Sequence, residues 1–166
     1  MHPDEIACKE LWTKAFGDDE QFADSFIMRY YSRNRMLTAE VEGHMAAMLH
    51  LLPFQTELGR TTYIYGVATD PAFQGRGLAS QLMREAMERI AEQGDDAALL
   101  IPTPGKEWLR DFYGRFGFEG DIPAEFVSPD RFDFGTGDTA TDRAMVWRRN
   151  PEGPLPEKLT AVYDKQ

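Results

Sequence analysis

A single cysteine, Cys8, in 166 residues excludes an intrachain disulfide and any paired-cysteine zinc or redox motif. A reducing cytoplasm fits that usage. No run approaches the roughly 20 apolar residues that cross a bilayer. The opening MHPDEIACKE lacks the basic and apolar blocks of a signal peptide, so no membrane partner is expected. Bases are scarce as well: 18 Lys and Arg stand against 28 Asp and Glu, a net charge of −10. A nucleic-acid binder needs a basic face to meet phosphates, and none is expected here. An acidic surface favours solubility and mildly attracts cationic substrates, amines included. His44 and His50 are an even number apart on one strand-like run, so they are expected to share a face, as bases or as packing. No third ligand is in view, and no metal is expected.

What is present suits one domain with a sizeable core: 42% of residues are hydrophobic and 12% aromatic. The reading is a single domain over residues 1–149 and a Pro-rich C-terminal tail over 150–166. Ile6, Leu11, Trp12, Ala15 and Phe16 fall at helical spacing up to Gly17. Asp18 and Asp19 can cap a second helix with Phe22, Phe26, Ile27 and Tyr30 inward. Strand-like runs follow over Arg35–Val41 and His44–Leu52, joined by a Glu42-Gly43 turn, and Pro53 is expected to break the second. Thr61–Thr69 reads as a strand whose Gly66 marks a bulge or a close backbone approach. Ala79, Leu82, Met83, Ala86 and Ile90 form one apolar helix face, and Gly94 ends it. The apolar AALLIP predicts a buried strand. Glu107–Phe116 predicts a helix with Trp108, Leu109, Phe112 and Phe116 inward. A strand near Phe126 and a last one over Arg143–Arg149 complete the reading, with NPEGPLP as tail.

Chemistry concentrates in DPAFQGRGLASQLMREAM, residues 70–87. A helix start leaves its first N–H groups without partners, and the aligned peptide dipoles make that end positive. Glycines let a ligand approach the backbone closely, so the stretch reads as an anion seat, most often for phosphate. A Walker A loop needs GxxxxGK[ST], which does not occur. The dinucleotide fingerprint GxGxxG is nearly met by GRGLAS, but Ser80 stands where its third glycine belongs.

Gln74-Gly75-Arg76-Gly77-Leu78-Ala79 matches Q/R-x-x-G-x-G/A and resembles the pyrophosphate loop of the GNAT superfamily of acyl-CoA N-acyltransferases. The order around it is similar too: a bulged strand, an amphipathic helix, a short apolar strand, then FYGRFGF. That last stretch resembles the superfamily's Y-x-x-x-G-F element, with Tyr113, Gly117 and Phe118 in register. The resemblance is strong from Thr61 to Gly120. ELWTKAFGDDEQF, LLPF and YIYGVATDPAFQGRGL also resemble the amino-terminal domain of the enhanced-intracellular-survival type and shorter bacterial relatives. No strand precedes the first helix, where the superfamily usually has one.

The resemblance implies a mixed α/β fold with a central, mostly antiparallel sheet, splayed at a bulged strand and flanked by helices. It implies acetyl-CoA as cosubstrate and a small-molecule or peptide amine as acceptor, and leaves a homodimer open. Backbone N–H groups from Gly75 to Ser80 would hold the coenzyme A pyrophosphate, with Gln74, Arg76, Leu78 and Ala79 in the same loop. Val67, Ala68 and Thr69 would pair with the pantetheine arm. The amine would attack the thioester directly in a ternary complex. Tyr113 would be the general acid, since the leaving thiolate needs a proton and a phenol of pKa ~10 can give one. Thr61–Thr69 carries no carboxylate to act as base. The alternative is a coenzyme-binding sensor or interaction module without turnover.

Overall fold

A computed structural model describes residues 2–18 and 20–164. Seven strands form one sheet hydrogen-bonded in the order β1-β2-β3-β4-β6-β5-β7, and four helices accompany it. The strands are β1 (Met36–Val41), β2 (His44–Thr56), β3 (Gly59–Thr69), β4 (Ala97–Leu100), β5 (Glu119–Val127), β6 (Arg143–Arg148) and β7 (Leu159–Tyr163). The helices are α1 (Pro3–Phe16), α2 (Glu20–Arg29), α3 (Leu78–Gln93) and α4 (Trp108–Gly114). Strands β3–β4 and β5–β7 pair parallel, and β1–β2, β2–β7, β4–β6 and β5–β6 pair antiparallel. The residues fall into two compact units: Met1–Leu51 with Gly66–Ala86, and Leu52–Tyr65 with Met87–Gln166. β2, β3 and α3 contribute residues to both.

In the first unit, α1 starts where the His2 side chain accepts the Asp4 N–H at 3.1 Å and Pro3 takes the first turn. It stops at Gly17, whose φ of 69° is left-handed. Trp12 stacks on Phe26 of α2 at 4.9 Å between ring centroids, and Lys9 bridges to Asp24 at 3.0 Å. The Asp19 cap foreseen for α2 lies outside the described residues. Glu42 and Gly43, at φ of 53° and 80°, form the tight turn between β1 and β2 that matches strand twist.

The β1–β2 register corrects one expectation. Ala39 pairs with Ala47 but Glu40 with Met45, so Ala46 is an extra residue in β2. One bulged residue reverses the alternation of side chains beyond it. His44 is therefore exposed while His50 is buried at 1% exposure; the two do not share a face. His50 packs edge-on to Phe26 at 4.9 Å, with Cys8 Sγ 3.8 Å from its Nε2. Burial lowers the imidazole pKa to about 3. Burial, aided by Glu5, raises the Cys8 thiol to about 12. Both groups are neutral at pH 7.

His50 carries a consequence for acid stability. The unfolded chain takes up a proton near pH 6.5 that folded His50 refuses down to about pH 3. Its contribution is therefore whole above pH 6.5 and is lost as pH falls toward 3, at about 1.4 kcal/mol per pH unit. His50→Gln is expected to shallow the fall of Tm with pH across that window, as read by circular dichroism. An unchanged slope would remove His50 from the acid response.

In the second unit, β4 lies parallel to β3 only through Thr61–Tyr63 and antiparallel to β6 through all four of its residues. Two expectations are corrected here. Pro53 does not end β2, which runs on to Thr56. Proline lacks the N–H but keeps its carbonyl, and Pro53 O accepts from Asp164 N at 2.9 Å. Nor is the C-terminal stretch only a tail. Leu159–Tyr163 form β7, parallel to β5 and antiparallel to β2 at Phe54 and Gln55, with Leu159 and Ala161 wholly buried. Pairing of β7 with both β5 and β2 closes the strands β2-β3-β4-β6-β5-β7 into a ring. Aromatics pack here: Tyr63 stacks on Phe126 at 4.9 Å, Phe134 on Tyr163 at 6.3 Å, and Phe54 meets Phe134 at 5.4 Å. Buried Tyr63 donates its hydroxyl to Phe134 O at 2.6 Å, which satisfies the polar end of the ring and holds the β5–β6 connection.

Candidate active site

The coenzyme loop of the sequence reading lies in the first unit. Gly66 interrupts β3 with a φ of 65°, a backbone state that side chains rarely adopt. A Cβ there would come within 3.0 Å of His50 Cδ2 and 3.1 Å of Trp12 Cζ3. Conformation and packing thus both demand glycine. Val67 and Thr69 are half-buried and Ala68 buried. The strand then ends on Asp70, which is fixed from several sides. Its N–H donates to Ala46 O at 2.8 Å, the carbonyl of the β2 bulge. Its carboxylate accepts Ala72 N at 2.9 Å and pairs with Lys14 at 3.3 Å. The Ala72 hydrogen bond, followed by Lys14, holds that carboxyl below its ordinary pKa.

A short 3-10 turn, Pro71–Phe73, leads into Gln74–Gly77. Gly75 and Gly77 have φ of 79° and 75° and no atom within 4 Å of where a Cβ would sit. Gln81 N donates to Gly77 O at 3.0 Å, the first bond of α3. The N–H groups of Leu78, Ala79 and Ser80 precede it in the first turn, where an α-helix offers them no acceptor. Arg76 lies over the Phe73 ring at 5.1 Å, so part of its guanidinium surface covers its own loop. The fixing of Asp70 by Ala46 and Lys14 was missed in the sequence, because those partners are far off along the chain and a bulge leaves no compositional mark.

Tyr113 lies in the second unit, in the last turn of α4 and 7% exposed. Tyr113 is the buried residue of α4, and Leu109, Phe112 and Phe116 are half-buried around it. Trp108, expected inward, is 62% exposed, because the seven-residue helix turns the adjacent stripe to the core. Gly117, at φ of 92°, stops the helix, and Phe118 N returns to Tyr113 O at 3.4 Å. The Y-x-x-x-G-F spacing is therefore a helix end: last turn, left-handed glycine, then a buried aromatic folded back. Phe112 and Phe118 flank the Tyr113 ring edge-on at 5.1 and 6.5 Å. Burial pushes its hydroxyl pKa up to about 12.

Residues 3–120 match the family model described as an acetyltransferase (GNAT) domain. The chain belongs to the GNAT acetyltransferase family. As a GNAT chain it is of acyltransferase lineage, and its mixed α/β sheet is the fold of solved family members. It is similar to the Escherichia coli GNAT family N-acetyltransferase YhbS in complex with CoA, at TM-score 0.68 and 18% identity over 99% of this chain and 86% of that one. A Brucella melitensis GNAT acetyltransferase in complex with acetyl-CoA aligns at TM-score 0.64 and 17% identity, covering 99% and 92%. Eis1 from Mycobacterium abscessus aligns at TM-score 0.59 and 18% identity, covering 74% of this chain and 31% of that one. No curated protein sequence matches. Among the described residues of the GNAT chain, no group of three or more His, Cys, Asp or Glu could hold a metal ion, and no helix is long and apolar enough to cross a membrane.

Among the described residues, the carboxylates and imidazoles considered for a general base do not suit that role. β3 carries no carboxylate, Glu40 is exposed on β1, and the Asp70 carboxylate is engaged by Ala72 and Lys14. His50, with its pKa near 3, is too weak a base to take a proton at neutral pH.

Proposed function

We propose that this GNAT chain is an N-acetyltransferase that moves an acetyl group from acetyl-CoA to a primary amine, by direct attack in a ternary complex. The observation that carries the reading is the pair of left-handed glycines, Gly75 and Gly77, with open space over both at the start of a 16-residue helix. N–H groups from Gly75 to Ser80 bind the pyrophosphate, and the helix dipole adds to the attraction. Gln74, Arg76, Leu78 and Ala79 shape that loop. Val67, Ala68 and Thr69 offer backbone groups to the pantetheine arm, because β3 pairs with β4 only as far as Tyr63.

The amine nitrogen attacks the thioester carbon, the C–S bond breaks, and the nitrogen sheds a proton to solvent as it becomes an amide. Tyr113 donates its proton to the departing sulfur, and the phenolate left behind is reprotonated from solvent. At a pKa of about 12 the phenol is protonated throughout the working range. A thiol of pKa ~8.5 is the stronger acid, so transfer to a finished thiolate is uphill; the proton moves as the C–S bond breaks, and loss of the acylated nitrogen's far more acidic proton offsets the cost. The test is release of coenzyme A thiol from acetyl-CoA over a panel of primary amines.

The pH dependence follows. With none of the groups named above acting as base, the reactive species is the neutral amine. For an amine of pKa ~10.4, kcat/KM is expected to rise about tenfold per pH unit below that value. Tyr113 imposes no fall until about pH 12. A plateau beginning near pH 7 would reveal a base outside the groups named above. The missing base also favours a second reading, a coenzyme-binding sensor. Titratable acetyl-CoA binding without thiol release on any amine would select it.

A further inference from the structure

The second unit contains a cleft of about 150 Å³ at the entrance to α4. Thr103, Lys106 and Glu107 line it from the β4–α4 connection, Arg110 from α4, Thr141 from the 3-10 turn before β6, and Arg143 from the start of β6. Its charge opposes that of the whole chain. Three bases face one acid, Glu107, in a protein with 28 acids and 18 bases. Both guanidiniums are held in place. Arg110 donates to Gly120 O at 3.0 Å and to Asp121 Oδ1 at 3.1 Å. Arg143 donates to the same Oδ1 at 2.7 Å and to Asp121 O at 2.9 Å. A guanidinium has five N–H donors, so each keeps donors to spare. Among the described residues, the Lys106 ammonium makes no ion pair or hydrogen bond.

We infer that this cleft seats a carboxylate of the acyl acceptor, so that the preferred acceptors are amines bearing an acid group, of the amino-acid class, rather than plain cationic amines. The inference rests on the acyl-transfer reading through α4, which carries both Arg110 and Tyr113. The two are i, i+3 neighbours on one helix, with about 4.5 Å of rise between them. An acceptor can therefore place its acid at the first turn and its amine toward the reacting end. Three cations against Glu107 and Asp121 leave one net positive charge, which matches a monoanion better than a phosphate dianion. Arginine's planar fork suits a carboxylate, with charge-assisted hydrogen bonds roughly twice as strong as neutral ones. The attraction of an acidic surface for cations thus does not extend into this cleft.

The test compares acceptors of matched length with acetyl-CoA: β-alanine against propylamine, and 5-aminovalerate against pentylamine. The acid member is expected to have the higher kcat/KM by about tenfold or more. Arg143→Gln and Lys106→Ala are each expected to bring that ratio toward one. Lys106→Ala removes no contact of the fold, so its result stands if Arg143→Gln fails to fold. Phosphoethanolamine preferred over β-alanine would overturn the carboxylate assignment. Plain amines equal to or better than the acids, or a ratio unmoved by both variants, would overturn the cleft and leave acyl transfer standing. Absence of thiol release with every amine would overturn the enzyme reading instead. The cleft is then judged by titration with N-acetyl-β-alanine, followed by fluorescence of the exposed Trp108 beside Glu107. Saturable binding weakened by Lys106→Ala supports it, and no saturable binding overturns it.

Discussion

Gly77→Glu is expected to abolish acetyl-CoA binding while leaving a folded protein. No atom lies within 4 Å of a Cβ built at this position, so the new side chain meets space rather than protein. A carboxylate at a helix N-terminus is itself favourable, which offsets part of the strain of a left-handed φ of 75°. The same carboxylate occupies the position proposed for the pyrophosphate and repels it. Hydrogen bonds to a charged group contribute about 1.5–3 kcal/mol each. Loss of two implies a fall in affinity of roughly 10²- to 10⁴-fold. Isothermal titration with acetyl-CoA measures this, and a thermal melt confirms the fold. Gly77→Ala carries the backbone strain without the charge and should bind better than the Glu variant. Undiminished affinity in Gly77→Glu would sink the loop assignment.

Replacing Tyr113 by Phe removes one hydroxyl and almost no volume, so the contacts with Phe112 and Phe118 persist. If the hydroxyl protonates the departing sulfur, kcat is expected to fall about 10²-fold or more, with the KM for acetyl-CoA nearly unchanged. Tm should move little, because the ring is what packs. Unaltered turnover would return Tyr113 to a purely packing role, and a joint loss of turnover and Tm would do the same. The hydroxyl also affects alkaline stability. Its pKa rises on folding from 10 to about 12, so its contribution is whole below pH 10 and is lost as pH climbs toward 12. Phe at this position should blunt that decline.

Local signals made much of this fold legible. The apolar spacing of α3 is read from Leu82, Met83, Ala86 and Ile90, all buried. The Glu42-Gly43 turn is read from its glycine and from the strand-like runs that flank the pair, although Glu42 itself takes a left-handed φ of 53°. Gly75, Gly77 and the start of the helix behind them are read from composition alone, and the anion seat proposed there rests on them. What was not legible depends on partners distant in the chain. Pro53 looks like a strand breaker until Asp164 takes its carbonyl. Leu159–Tyr163, behind three prolines, looks like a tail until β5 and β2 flank it. The bulge at Ala46 leaves no mark in sequence, yet it alone reverses the relation between His44 and His50. Trp108 and Tyr113 are both aromatic on one short helix, and only tertiary packing decides which is buried. The same holds for the cleft, whose Arg110 and Arg143 meet through Asp121.

The closing of the strand ring by β7 bears on the order in which the chain can acquire its structure. Phe54 and Gln55 pair with Tyr163 and Val162, and Glu57 accepts the Thr160 N–H at 2.8 Å across a separation of 103 residues. Loop-closure entropy must be met before such contacts give anything back, which makes them late and slow. During synthesis from the N-terminus, Phe54 and Tyr63 are made about a hundred residues before the strand that completes their enclosure. Until β7 docks, β2 and β5 each present an unpaired edge beside exposed aromatic surface, the arrangement most prone to pair with another chain. Strand β7 therefore guards against misassembly as well as contributing to the sheet.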